Sequence, residues 1–315
     1  MNGSPEAPER PIRAITRLMH PAKKREGEDT PYVEPRPFSP DCLRPRRTRF
    51  SFDLDDVPNY WVGGSPARTH LFNSINVFLV PFEEFMVRVL SDQGQRLDDP
   101  ELRRQIRGFC GQEANHARAH QIFLDTLRAQ GHDVDGFLHF ADAMFSRVLE
   151  RGLGRDLSLA AIAGFEHLTA FLAEFILDGE MLAQAPPALQ ELWKWHAAEE
   201  LEHKALAFDL LRHVNGSYPL RIAGGALGAG IVFGFLGIGM ALLFTEEGIL
   251  FERRTLRETL ELFFTRDKIL TRSIPVMLDY LRPGFHPSQR DTRGMAERMF
   301  AQVELQVAED VPRAA

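Results

Sequence analysis

Cysteine is almost missing from this chain: Cys42 and Cys110 are the only two in 315 residues. A disulfide framework is therefore excluded, and a reducing cytoplasmic setting is expected. A strand pattern is missing too. No convincing period-two alternation occurs, so the expected class is all-α. The N-terminus lacks an apolar run behind its charges, so no signal peptide is expected. Net charge is −7, which implies no nucleic-acid partner. Charge disappears altogether between Ile222 and Thr245. About 20 apolar residues cross a bilayer core, so this stretch is expected to be a membrane helix, with a buried or interfacial helix as the alternative. Its seven glycines would weaken a soluble helix, whereas Gly224-x-x-x-Gly228 and Gly230-x-x-x-Gly234 permit close helix contact in lipid.

What is present divides the chain into four parts. Residues 1–50 hold nine of the twenty prolines and a local excess of Lys and Arg, and read as a flexible arm. Its cations, Lys23, Lys24, Arg25 and those between Arg44 and Arg49, offer a contact to anionic lipid headgroups. Residues 51–218 read as a helical bundle. Ser65-Pro66 and Asp99-Pro100 are N-cap-plus-proline helix starts, Gly131 is a terminator, and Pro186-Pro187 opens a further helix toward Asn215-Gly216. Pro81 is expected to bend the first helix. Residues 219–247 form the glycine-rich apolar helix, and 248–315 a helical tail broken at Arg282-Pro283-Gly284-Phe285-His286-Pro287.

The bundle carries two copies of Glu-x-x-His: Glu113 with His116, and Glu200 with His203. Residues i and i+3 share a helix face, so a carboxylate and an imidazole can reach one metal. A lone glutamate stands on a predicted helix ahead of each pair, Glu84 before the first and Glu166 before the second. Four inward helices with these ligands are how a dinuclear centre is built in a bundle. Glu84 is preferred to Glu83 because Asn73, Val77, Val80 and Arg88 share its face. Glu166 follows Ala160-Ala161-Ile162-Ala163-Gly164-Phe165, where an unpaired carboxylate would be costly. His120 and His196 extend the two ligand faces by a turn and are candidates for proton relay or substrate contact. Glu199 lies at the ligand face's edge, as a hydrogen-bond partner or a ligand, and Glu202 points toward solvent. His167 reads as a core histidine and Cys110 as a small buried residue. Four carboxylates and two imidazoles suit two divalent ions, iron first and manganese second.

These motifs resemble a bacterial family of predicted metal-dependent hydrolases placed near the ferritin-like proteins. The resemblance runs from about Arg46 and rests on Phe109-Cys110-Gly111-Gln112-Glu113-Ala114-Asn115-His116, Phe165-Glu166-His167, Trp195-His196-Ala197-Ala198-Glu199-Glu200-Leu201-Glu202-His203-Lys204 and the Arg282–Pro287 run. The family's Phe-Pro-x-Gly-Glu is Val80-Pro81-Phe82-Glu83-Glu84 here, which again places its glutamate on Glu84. The ligand set looks equally like that of di-iron oxidases and oxygenases. The expected function is an oxygen-activating enzyme at the cytoplasmic side of a membrane, acting on a small hydrophobic or lipid-like substrate. The alternatives are a hydrolase using metal-bound water, a non-catalytic ferritin-like metal-binding protein, and a structural membrane protein with a satisfied polar core. A homodimer is the assembly considered.

Overall fold

The first two long helices begin where a side chain satisfies their first backbone donors. In the computed structural model, which describes residues 43–47, 57–178, 180–301 and 306–307, Ser65 Oγ accepts from the Arg68 amide and starts α1 (Pro66–Gly94). Asp99 accepts from the Glu101 and Leu102 amides and starts α2 (Pro100–Ala129). Gly131, at φ 93°, closes α2 in a conformation that favours glycine. α3 (Val134–Ala143) runs on through a π-helical stretch to Leu153. α4 is Arg155–Asp178 and α5 is Pro187–His203. The helix expected to continue to Asn215 breaks directly after His203 and resumes as α6 (Leu206–Val214).

The apolar stretch forms α7 (Tyr218–Glu246). Beyond it lie α8 (Arg253–Leu260, with a π-helical extension to Thr265), α9 (Ile269–Tyr280) and α10 (Arg293–Phe300). The one strand pairing among the described residues is two residues long: β1 (Arg46–Arg47) lies antiparallel to β2 (Gln306–Val307). The class is all-α, as the missing strand alternation implied.

α1 packs on α2, and α4 packs on both α5 and α7. The core between them is aromatic: Phe82 and Phe165 lie 3.8 Å apart, and Phe78, Phe85, Phe145 and Phe235 surround them. Each such ring contributes about 1.5–3 kcal/mol by leaving water.

Among the described residues, two helices are long and apolar enough to cross a bilayer: α4, with 89% of its most apolar stretch buried, and α7, with 56%. α4 is thus a core helix, and α7 lies along it. A Cβ on Gly224 would come within 2.3 Å of Ala160, and one on Gly228 within 2.5 Å of the Phe165 backbone nitrogen. The Gly224–Gly228 pair is therefore the seam between α7 and α4, whereas Gly230 and Gly234 face open space. The tail folds back onto the bundle. His286 Nε2 lies 2.7 Å from Asp209 Oδ1 on α6, and Lys204 donates to Thr292 Oγ1 at 2.8 Å. Since both sides of α7 touch the same bundle, α7 does not part the tail from it. Most of the 1–50 arm lies outside the described residues, but Leu43 is buried and Pro45 packs on Gly111.

Candidate metal centre

α2 and α5 bring their motif residues to a common, buried space. Glu113, His116, His120, Glu166 and His203 have no exposure, and Glu200 and His196 have at most 6%. Ligand atoms of Glu113, His116, Glu200 and His203 all lie within 4.8 Å of one another. His203 Nδ1 sits 2.8 Å from Glu113 Oε1, 3.4 Å from Glu200 Oε1 and 3.9 Å from Glu166 Oε2. His116 Nδ1 sits 3.7 Å from Glu113 Oε2 and 3.8 Å from Glu200 Oε1.

The fourth helix contributes a different glutamate from the one expected. Glu84 is exposed on α1, while Glu83 is 1% exposed and lies with His116 and His196 within the same 4.8 Å limit. The facing argument chose the wrong stripe. It counted Arg88 as inward, but Arg88 pairs with Glu150 in a partly exposed contact 3.0 Å long. The true inward stripe runs through Asn76, whose side chain meets His120, and reaches Glu83 seven residues, or two turns, later.

Both motif histidines turn the same nitrogen inward, and their outer nitrogens show why. Gln112 donates its amide to Glu202 Oε2 at 2.8 Å, so its carbonyl oxygen faces His203 Nε2 at 3.2 Å. His203 therefore carries its hydrogen on Nε2 and leaves Nδ1 for the centre. His116 Nε2 donates to Glu199 Oε2 at 2.9 Å, so its Nδ1 is likewise the nitrogen that faces the centre. Holding the outer N–H in this way orients a ligating imidazole and raises its basicity.

Arg46 closes both arms. Its guanidinium donates to Glu199 Oε1 at 3.0 Å and to both oxygens of Glu202 at 2.8 and 2.9 Å, and it stacks 3.8 Å over the Phe300 ring. Glu202 is thus buried and paired, not solvated. Within the arm's Arg44–Arg49 cluster, this arginine is turned toward the bundle. Sequence reasoning missed Arg46 and Gln112. Gln112 directly precedes Glu113 and had a local signal, whereas Arg46 is more than 150 residues from its partners and had none.

His120 and His196 form a chain beside the centre. Asn76 donates to the His120 carbonyl oxygen at 3.3 Å, so its Oδ1, 2.6 Å from His120 Nδ1, must accept a hydrogen there. His120 Nε2 then accepts from His196 Nδ1 at 3.0 Å. The consequence is an unprotonated His196 Nε2, 3.5 Å from Glu200 Oε1. Electrostatics agree: burial, with the charge of His116 adding to it, pushes His120 down to about 3 and His196 well below its ordinary range.

The cluster as a whole calls for positive charge. Burial and Glu113 push the Glu83 carboxyl well above the usual range, and burial and Glu200 do the same to Glu166. Burial opposes the charge on His116, yet Glu113 and Glu199 hold it up to about 10. Glu113, despite burial, is held down to about 2 by His203 and His116. Among the described residues, neither oxygen of Glu83 nor of Glu166 has a hydrogen-bond donor, and Glu200 Oε2 has none. Buried carboxylates left in this way are costly unless paired or coordinating a cation. Residue type and placement therefore fit divalent ions. Cys110 stays apart, its thiol 3.5 Å from Ser91 Oγ, and His167 is engaged with the Val276 carbonyl at 3.0 Å.

A family model described as predicted metal-dependent hydrolase matches residues 44–291. The chain belongs to that family. No match was found among curated proteins or among solved structures.

Proposed function

We propose that Glu83, Glu113, His116, Glu166, Glu200 and His203 hold two divalent ions, and that the protein is a hydrolase acting on an apolar substrate. The observation that carries this reading is the pair of donorless carboxylates, Glu83 and Glu166, facing two Glu-x-x-His motifs in a buried space. When bound, the ions would polarise a substrate carbonyl and lower the pKa of water.

The chain's own residues supply the rest. His196 Nε2 is positioned to take the proton that water loses, and Asn76 through His120 keeps that nitrogen unprotonated beforehand. Arg46, Glu199 and Gln112 hold the inner imidazole nitrogens in place. The aromatic core excludes bulk water and strengthens each of these interactions. The test is metal content by mass spectrometry alongside ester hydrolysis under argon. About two ions per chain, with hydrolysis that tolerates redox-inert metals, is the expected result.

Oxygen chemistry is the second reading, favoured by the carboxylate-rich, thiolate-free, buried donor set. It predicts oxygen uptake by the reduced iron form and no turnover under argon. We also propose a place at the cytoplasmic surface of a membrane. The apolar side chains exposed on α7 to α9, among them Leu242, Leu260, Phe264 and Leu278, support it.

A further inference from the structure

A narrow apolar cleft of about 40 Å³ ends at the centre. Its inner end is formed by Glu200, His196 and Trp193, and its outer part by Ile75 and Leu172, both partly exposed. One wall is Val232 and Leu236 of α7. The two larger cavities, of about 220 and 280 Å³, touch none of the six proposed ligands. Trp193 is 1% exposed, and its indole N–H has no acceptor among the described residues. A buried donor without a partner is costly in a resting protein and becomes useful when a ligand accepts from it.

We infer that this cleft is the substrate's entry, and that the substrate carries a single unbranched aliphatic chain ending in an ester or amide carbonyl. The inference rests on the hydrolase reading for its head group and on the cleft alone for its tail. The lining is almost wholly apolar, so the chain gains by desolvation. At about 40 Å³ the cleft is small, which favours a straight chain over a branched or cyclic one. The carbonyl arrives beside Glu200 and His196, where the Trp193 N–H donates to its oxygen.

The test uses the full chain, metal-loaded and metal-free, with a fluorescent straight-chain fatty acid as probe. Straight-chain methyl esters of increasing length compete for it, as do branched esters and alkanes. Straight chains should gain affinity about fourfold per methylene until the chain outgrows the cleft, and branched chains should compete at least about tenfold more weakly. Ile75→Trp and Leu172→Trp should each weaken binding at least about tenfold with unchanged metal content and circular dichroism. Trp193→Phe should erase the preference for an ester over an alkane of equal length. Affinity independent of chain length, or unaltered binding in both tryptophan variants, would overturn the inference. Length-dependent, variant-sensitive binding in a protein that takes up no metal when ions are supplied would sustain the cleft and sink the hydrolase reading. Two bound ions without chain binding would do the reverse.

Discussion

The two Glu-x-x-His motifs are alike in sequence and unlike in what stands behind them. His116 donates directly to a carboxylate, Glu199. His203 donates to a neutral carboxamide, Gln112, which in turn donates to Glu202. Both arms end on the same Arg46 guanidinium. A carboxylate partner draws the Nε2 hydrogen more strongly than an amide does, so His116 Nδ1 is the more electron-rich donor. A repeated motif therefore builds an electrostatically uneven centre. The unevenness is set by residues just outside the motifs.

The comparison can be broken outright. Glu113→Ala/His203→Ala removes a contact from each half, and metal content by mass spectrometry should fall from about two ions to none. Glu83→Gln against Glu84→Gln is the next largest contrast: the first should lose metal, while the second, an exposed position, should keep the wild-type content. Arg46→Ala acts on both arms at once and leaves Glu202 buried beside Gln112 without its cation. Metal affinity should drop about 10–100-fold, the usual effect of losing such supports.

Finer variants sharpen the difference between the arms. In Glu199→Gln and Gln112→Glu the partner types are exchanged, and the first should lower affinity more than the second. Proton release gives the smallest signal. His116 is held up to about 10 in the absence of an ion, so it is protonated at neutral pH and must lose that proton to coordinate. Affinity should therefore rise with pH through neutrality, with Glu83, Glu166 and His203, which are also held up, adding to the slope. Glu113, held down to about 2, stays ionised throughout and adds no slope. Calorimetry in buffers of different ionisation enthalpy checks the sign: protons are released, not taken up.

Much of this was written locally. Caps such as Ser65 and Asp99, and the terminator Gly131, act within a few residues, so helix starts and stops could be read from the sequence. The paired motifs were legible for the same reason, since i and i+3 share a face whatever the fold. Glu83 against Glu84 was not, because one residue is 100° of rotation and the choice depends on which stripe packs inward. The break after His203 and the reach of Arg46 were hidden for a different reason. Both are consequences of tertiary contacts, with Lys204 anchored on Thr292 and Arg46 on Glu202. The apolar helix was legible as apolar, but a seam against α4 and a seam in lipid ask for the same small residues.

That seam has a further effect. The wall of the cleft is carried by α7, and the distance of α7 from α4 is set in part by two missing methyl groups, at Gly224 and Gly228. Neither position is near a proposed ligand in sequence. A family in which those glycines drift to alanine or serine would re-space two helices and so widen the bore. Such a chain would accept bulkier molecules while every residue at the centre stayed the same. Substrate range would then evolve by adjusting a spacer, with the chemistry left untouched.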